Sequence, residues 1–133
     1  MQKLKINDII KRIERQETFD ATAFDNSFRI KITKYVPYCC TAIHDGSNFR
    51  EQLKKKISLD EFQRWFEEDP HTGEFITAMP ITISGLDSRF EYDLNRRSED
   101  CIYEEAWGNK IWNRPLTPTE KQTSKQKHFN FYK

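Results

Sequence analysis

Two hydrophobic periods follow one another along this chain, and they constrain its fold more than any other feature. Near the start, four isoleucines recur at helical spacing: Ile6, Ile9, Ile10 and Ile13. This pattern predicts a helix over about the first fifteen residues. Phe28, Ile30 and Ile32 then alternate with charged or polar residues. A period of two predicts a strand with one wet face, which we expect near the edge of a sheet.

Similar signals continue through the middle of the chain. Residues 38–43 are nearly uncharged and predict a strand covered on both faces, and residues 79–85 predict another strand. Capping-box spacing from Ser58 to Glu61 predicts a helix that ends before Pro70. One apolar stripe of this helix is expected to face the core: Leu59, Phe62, Trp65 and Phe66.

A last helix is predicted from Thr117, because Pro118 and Glu120 supply the signals of a first helical turn. It continues to Lys133, and its final large apolar residues need a surface to pack against. We therefore expect the chain to be the truncated, amino-terminal part of a longer domain. Alternating helices and strands favour a three-layer α/β/α fold around a mixed sheet, incomplete at its carboxyl-terminal end.

The composition fits one soluble domain over residues 1–133. A chain of 133 residues with 36% hydrophobic residues can bury one modest core. A formal net charge of +1 argues against nucleic acid and anionic membranes as partners. The chain shows neither a signal-peptide pattern nor an apolar run of about 20 residues, which favours the cytoplasm. Cys39, Cys40 and Cys101 are expected to be reduced and mostly buried.

Two segments carry candidate metal ligands. His44 follows the strand predicted over residues 38–43 and precedes a turn, where open α/β sheets usually place their ligands. Its imidazole could bind zinc, and Asp69 could supply a carboxylate oxygen. Glu67 and Glu68 are equally plausible on chemical grounds, so spacing leaves the choice open. A hydrogen-bonded structural histidine and a solvated acidic helix end are the alternatives.

A further polar segment could bind a carboxylate. Arg89 and Arg96 flank Asp93 and Asn95, on a stretch that the alternation of residues 90–94 predicts to be a strand followed by a loop. Guanidinium groups can grip a carboxylate while Asp93 holds one of them in place. A strand places residues 89 and 96 on opposite faces, so the chain must turn after residue 94 for both to converge. An internal ion pair is the alternative.

Three motifs in these segments resemble those of a known family. Residues 88–96 match the Ser-Arg-aromatic-x-x-Asp-Leu-Asn-Arg signature of the N-formylglutamate amidohydrolases at every position. The turn at residues 44–46 and the pair of Asp69 and His71 resemble two further motifs, in the order the family has them. The resemblance covers most of the chain, but the chain covers only the amino-terminal portion of the family's domain.

The resemblance implies a zinc-dependent hydrolase that cleaves the amide bond of N-acyl, N-formylglutamate-like amino acids and has a carboxypeptidase-like, phosphorylase/hydrolase-like fold. His44 and Asp69 are then two zinc ligands, with Glu68 as the alternative to Asp69. Arg89 or Arg96 receives the carboxylate of the substrate. The substrate-binding group as a whole is Arg89, Asp93, Asn95 and Arg96.

Two departures from the family leave the activity open. The family's third ligand, a histidine in an Asp-x-His-Ser motif, and its downstream catalytic glutamate have no counterpart in this sequence. Asp45 also stands where the family usually has a serine. Two other hypotheses follow: a non-catalytic module that binds a small carboxylate or a peptide end, and a fragment that a partner chain completes.

Overall fold

A computed structural model describes residues 2–132, so Met1 and the predicted extension of the last helix to Lys133 lie outside the described residues. The helices and strands in chain order are β1 (Gln2–Leu4), α1 (Ile6–Glu14), β2 (Phe19–Ala23), β3 (Phe28–Ile32), β4 (Cys40–Ala42), α2 (Glu51–Lys54), α3 (Glu61–Glu67), β5 (Ile81–Gly85), β6 (Glu105–Ala106), β7 (Asn109–Lys110) and α4 (Pro118–Tyr132). Two short 3-10 helices cover Thr72–Ile76 and Ser98–Asp100.

Five strands form one open, mixed sheet in the order β1-β2-β3-β5-β4. β1 runs parallel to β2, and β4 runs parallel to β5. The two central pairings, β2 with β3 and β3 with β5, are antiparallel. β6 and β7 form a separate hairpin. The mixed α/β class expected from the sequence is therefore confirmed.

The strand predicted around Phe28 is present, but its predicted place near the sheet edge is wrong. β3 lies in the centre of the sheet, between β2 and β5. Its side chains alternate between buried and half-buried, as the period of two predicts. The polar residues Arg29 and Lys31 belong to a wet face of the sheet rather than to a sheet edge. Hydrophobic alternation reports on the faces of a strand and not on its neighbours.

The strand predicted over residues 38–43 is present in a shorter form, but the prediction that it is covered on both faces is wrong. β4 has three residues, Cys40–Ala42, and stands at the end of the sheet order in the described chain. Of these three only Ala42 is buried, and Tyr38 is exposed. The thiols differ likewise from the prediction, because Cys39 is exposed, Cys40 half-buried and only Cys101 buried. A lack of charge does not by itself bury a strand of three residues.

Two helices pack on the apolar face of the sheet. Ile9 of α1 lies with the buried residues of β2 and β3 in one hydrophobic cluster, which confirms the amphipathic helix predicted from the isoleucines. Phe131 of α4 packs against the same cluster, with its ring edge-on to Phe28 at 5.7 Å between centroids. α4 begins as predicted, since the Thr117 hydroxyl accepts the Glu120 amide at 3.2 Å.

Helix α3 is present but turned opposite to the prediction. Its N-cap is Asp60 and not Ser58, because Asp60 and Gln63 form the reciprocal capping box. Phe62 and Phe66 are exposed, whereas Arg64 is buried. The Arg64 guanidinium lies 4.6 Å from the centroid of the Phe49 ring. The apolar stripe of this helix therefore faces outward, because a long charged side chain takes the inward position.

No helix within residues 2–132 has both the length and the apolar character that a bilayer crossing requires.

Candidate functional site

The signature loop, defined as residues 88–96, is loop and turn instead of the predicted strand and is buried over most of its length. Phe90, Tyr92 and Leu94 are buried, and so are Glu91 and Asp93. The Ser88 amide donates to the Asn48 carbonyl at 2.7 Å, and the Asp93 amide donates to the Cys101 carbonyl at 2.7 Å. These contacts to distant segments replace a strand ladder. The apolar alternation here reflects packing into two hydrophobic clusters.

His44 follows β4 and is brought against the signature loop by a close approach of two backbones. At Gly46, an added Cβ would lie 2.2 Å from the carbonyl carbon of Leu86, so no side chain fits. The His44 ring is thereby held between two carboxylates. Its Nε2 lies 2.6 Å from Asp93 Oδ1, and its Nδ1 lies 3.3 Å from Asp69 Oδ2. Both nitrogens of the ring therefore face an oxygen.

Five groups converge on the buried carboxylate of Asp93. They are His44 Nε2, the Asn95 amide at 2.8 Å, the Tyr103 hydroxyl, Arg89 Nη2 at 3.2 Å and, more distantly, Arg96 Nε at 3.9 Å. Burial by itself raises the pKa of Asp93, but the hydrogen bonds from His44 and the Asn95 amide outweigh it, and the pKa is lowered. Asp93 is thus an ionised acceptor.

The charge of Asp93 determines which ring nitrogen of His44 donates to it. An ionised carboxylate only accepts hydrogen bonds, so the Nε2 atom of His44 carries the proton that Asp93 receives. In a neutral imidazole the other nitrogen, Nδ1, then has a free lone pair. Nδ1 faces Asp69 Oδ2, which is a second electron-pair donor. His44 Nδ1 and Asp69 Oδ2 lie 3.3 Å apart. A cation between these two electron-pair donors, either a proton or a metal ion, stabilises this arrangement.

The structure places Asp69 rather than Glu68 beside His44. Asp69 follows α3 in a left-handed backbone conformation with φ of 47°, a region that aspartate tolerates better than most residues. Glu68 is buried and accepts a hydrogen bond from the Ser88 hydroxyl. Burial raises the pKa of Glu68. The Glu67 backbone carbonyl, at 3.1 Å, accepts from Arg89 Nη1.

The two arginines of the signature loop have different environments. Arg89 is 13% exposed at its side chain, and it donates to the Glu67 carbonyl, Tyr103, Asp69 and Asp93. Arg96 is 48% exposed, and its guanidinium lies over the Tyr103 ring at 4.3 Å from the centroid. The chain does turn after residue 94, as convergence of both side chains requires. Arg96 is therefore the more accessible of the two.

An open cleft of about 690 Å³ lies beside Arg96, and we call it the carboxylate cleft. Asn95, Arg96 and Tyr103 line it together with Lys121 and Lys125 of α4. Acidic residues line it as well, among them Glu99, Asp100, Glu104 and Glu105. The cleft thus unites two predicted site residues with cations from a helix that the sequence did not assign to the site.

Helix α4 also holds the backbone of the signature loop. His128 Nε2 lies 2.7 Å from the Arg96 carbonyl oxygen, and the Tyr132 hydroxyl donates to the Leu94 carbonyl. Lys127 donates to Asp87 at 3.2 Å, just before the loop begins. His128 and Tyr132 of α4 therefore hold the backbone of the loop that carries Asp93 and Arg96, and Lys127 holds the residue just before it.

The sequence-predicted residues thus come together in large part. His44, Asp69, Arg89, Asp93 and Arg96 form one connected cluster. His71 does not join it: that residue is exposed and pairs with Glu74 at 3.1 Å. Tyr103 is a central member that sequence reasoning missed. A single tyrosine outside every motif gave no signal that it would contact Asp93.

Among residues 2–132, no group of three or more histidine, cysteine, aspartate or glutamate side chains is arranged to hold a metal ion. His44 and Asp69 are therefore a pair of candidate ligands and not a complete metal site. Comparison of the chain with protein-family models, with curated proteins and with solved structures finds no match.

Proposed function

We propose that this chain supplies the substrate-carboxylate site and part of the metal site of a zinc-dependent hydrolase that cleaves the amide bond of N-acyl, N-formylglutamate-like amino acids. One observation carries the proposal. The imidazole of His44 is held by Asp93 through Nε2, while Nδ1 faces the carboxylate of Asp69. A histidine oriented by a carboxylate through one nitrogen, with the other nitrogen free to bind, is typical of zinc ligands.

The spacing of the pair fits a zinc ion. Zinc binds histidine nitrogen and carboxylate oxygen at about 2.0–2.2 Å with tetrahedral geometry, which places two such ligands roughly 3.4 Å apart. His44 Nδ1 and Asp69 Oδ2 lie 3.3 Å apart. When bound, zinc would polarise the amide carbonyl and lower the pKa of a coordinated water towards about 7. His44 and Asp69 would hold it, and Asp93 would keep the His44 ring in place.

Arg96 and Asn95 are the groups proposed to receive the carboxylate of the substrate. Both line the carboxylate cleft, and Arg96 is only loosely paired with Asp93, at 3.9 Å. Guanidinium donors that are not committed to protein acceptors can bind a carboxylate in bidentate fashion. Arg89 is engaged with protein acceptors on several sides. Its proposed role is to position Asp69 and Asp93 rather than to bind substrate.

The proposed architecture is a three-layer, phosphorylase/hydrolase-like fold of which the chain forms the amino-terminal part. The open mixed sheet and the position of His44 two residues after the end of β4 support it. Under this proposal, a third zinc ligand and a catalytic base come from residues other than those of the three motifs found here. Either further sequence of the same protein or a partner chain would supply them.

Zinc titration against a chromophoric chelator tests the metal site. At saturation we expect about one zinc ion per chain, bound weakly because this pair supplies only two ligands, and we expect His44→Ala and Asp69→Ala to abolish that uptake. His71→Ala is the matched control, because His71 is exposed and lies outside the cluster. A wild-type chain that binds no zinc, or a loss of zinc only in the His71 variant, would overturn the proposal.

A non-catalytic module that binds a small carboxylate or a peptide end is the second candidate. The limited ligand set of His44 and Asp69 among the described residues favours it. This candidate predicts that N-formyl-L-glutamate raises the melting temperature while no formate is released. It also predicts that Arg96→Gln weakens binding and His44→Ala does not. Formate release that depends on His44 would exclude it.

A further inference from the structure

An apolar groove lies between α3 and the β6–β7 hairpin, with a volume of about 310 Å³. Its apolar lining comes from six residues: Leu59, Phe62, Phe66, Phe90, Ala106 and Trp107. Gln63, Asn109 and Glu67 complete the lining, so the groove has one carboxylate and no cationic side chain. We call it the aromatic groove. Its chemistry suits a neutral, apolar group and disfavours an anion.

Trp107 forms the wall of the aromatic groove in a strained backbone conformation. Trp107 and Gly108 form the two-residue turn of the β6–β7 hairpin, with φ of 50° and 76°. Such turns favour asparagine or glycine at the first position, whereas a bulky residue there is a genuine outlier. Half of the Trp107 surface is nevertheless exposed. A strained, exposed aromatic residue points to a role in binding rather than in folding.

The aromatic groove and the site share their walls. Trp107 and Glu67 line the groove, and Arg89 contacts both of them. The Arg89 guanidinium lies 5.0 Å from the Trp107 ring centroid and donates to the Glu67 carbonyl at 3.1 Å. Arg89 also contacts Asp69 at 3.3 Å. The Tyr103 ring, which lines the carboxylate cleft, has its centroid 5.7 Å from that of Trp107. Two adjacent rings therefore separate groove from cleft.

We propose that the aromatic groove binds the acyl group of the N-acyl amino acid whose carboxylate binds Arg96, and that this acyl group is apolar and larger than formyl. The proposal rests on the proposed function, because it assumes a carboxylate in the cleft. It places one ligand across the edge of the adjacent Tyr103 and Trp107 rings, with its carboxylate on the cleft side and its acyl group on the groove side. Glu67, as the one charged side chain of the lining, disfavours an acidic substituent there.

A series of N-acyl glycines tests this directly. N-formylglycine, N-acetylglycine, N-hexanoylglycine and N-benzoylglycine keep the carboxylate constant while the acyl group grows. Burial of one methylene strengthens binding by roughly fourfold. With partial burial, calorimetry on the chain of residues 1–133 is expected to show N-hexanoylglycine binding at least about 20-fold more tightly than N-formylglycine. Equal affinities across the series would overturn the proposal.

Matched variants locate the effect in the groove. Phe62 and Phe75 are 70% and 82% exposed, but only Phe62 lines the aromatic groove. We expect Phe62→Ser to reduce the gain from a larger acyl group and Phe75→Ser to leave it unchanged. Ala106→Leu, which fills the groove, is expected to weaken binding of the hexanoyl compound without affecting the formyl compound. Equal effects of the Phe62 and Phe75 variants would contradict the proposal.

A fourth variant separates this inference from the proposed function. Arg96→Gln should weaken all four compounds by a similar factor, because they share the carboxylate. If no compound binds the wild-type chain, the proposed function fails together with the inference. If all bind equally through Arg96, only the inference fails. If the four compounds bind equally and sedimentation shows a dimer that Phe62→Ser dissociates, the groove is an interface between two copies. That result also overturns the proposal that it binds an acyl group.

Discussion

His44 Nε2 lies 2.6 Å from Asp93 Oδ1, and this contact joins two residues that are 49 positions apart in the sequence. It connects the turn after β4 to the signature loop. Because Asp93 also accepts hydrogen bonds from the Asn95 amide and the Tyr103 hydroxyl, its carboxylate cannot rotate freely. The orientation of the His44 ring is therefore set by the signature loop.

The Asp93→Asn variant tests this contact. An asparagine would keep the shape of the side chain and remove its charge, so His44 would lose its fixed tautomer. Loss of such an outer partner lowers metal affinity by roughly 10- to 100-fold, and we expect that range for zinc in a chelator competition. Asp100→Asn is the control, since Asp100 is exposed and pairs with Arg97 at 3.1 Å. Equal zinc affinity in both variants, each folded by circular dichroism, would refute the role of Asp93.

Arg96 and Arg97 offer a matched pair for the carboxylate site. Both line the carboxylate cleft, but Arg97 pairs with Asp100, whereas Arg96 stacks on Tyr103 and lies 3.9 Å from Asp93. A hydrogen bond to a charged group contributes about 1.5–3 kcal/mol. We therefore expect Arg96→Gln to weaken N-formyl-L-glutamate binding by roughly 10- to 100-fold and Arg97→Gln to have little effect. Calorimetry measures both, and the reverse order would assign the carboxylate to Arg97.

The position of α3 shows where sequence reasoning fails. Its apolar stripe is real, and the helix exists close to the predicted residues. An apolar stripe on a helix normally marks the buried face. Here Arg64 packs on Phe49, and Glu68 bonds to Ser88, so the polar face is turned inward. Nothing local to α3 predicts these partners, because Phe49 and Ser88 belong to other segments.

The candidate site was predictable to the extent that its residues lie in local motifs. The order of residues 88–96 identified Arg89, Asp93 and Arg96, and the turn after β4 identified His44. Spacing left Asp69 and Glu68 open and the resemblance favoured Asp69, whereas the backbone shows directly which of the two carboxylates meets His44. Tyr103 required the tertiary fold, because burial and a contact with Asp93 define its place.

Gly46 is expected to be essential for placing His44. An alanine Cβ there would lie 2.2 Å from the Leu86 carbonyl carbon, so the two backbones would have to separate. Overpacking of this kind costs about 1–3 kcal/mol or more. Gly108→Ala is the control: its Cβ would meet nothing within 4 Å, and only its φ of 76° is unfavourable, at about 1 kcal/mol.

Urea unfolding of the two glycine variants measures the difference. We expect Gly46→Ala to lower the unfolding midpoint more than Gly108→Ala and, in addition, to weaken zinc binding, since His44 lies on the same turn. Gly108→Ala should leave zinc affinity unchanged. Zinc binding that is unaffected in a folded Gly46→Ala variant would show that the close approach to Leu86 does not position His44.

The stability of the chain is expected to fall on both sides of a mildly acidic optimum. Burial raises the pKa of three carboxyl groups, namely those of Glu68, Asp87 and Glu91. As the pH rises above the ordinary pKa of these groups, they lose their protons in the unfolded state but keep them in the folded state. The free energy of unfolding therefore falls until the pH has passed the raised pKa values of the folded state. The lowered pKa of Asp93 acts oppositely: its contribution is present above the unfolded value and is lost as the pH falls through the folded one.

Glu91→Gln tests the alkaline side of this profile. The Glu91 carboxylate lies 2.7 Å from Arg50 Nε and 3.8 Å from Lys127 Nζ, yet burial is the dominant influence on its pKa. Because glutamine does not titrate, we expect the free energy of unfolding to fall less between pH 4.5 and pH 8 in this variant than in the wild type. Glu51→Gln, at an exposed helix position, is the control for the substitution itself. Parallel curves for the wild type and Glu91→Gln in urea titrations would show that Glu91 titrates alike in the folded and unfolded states.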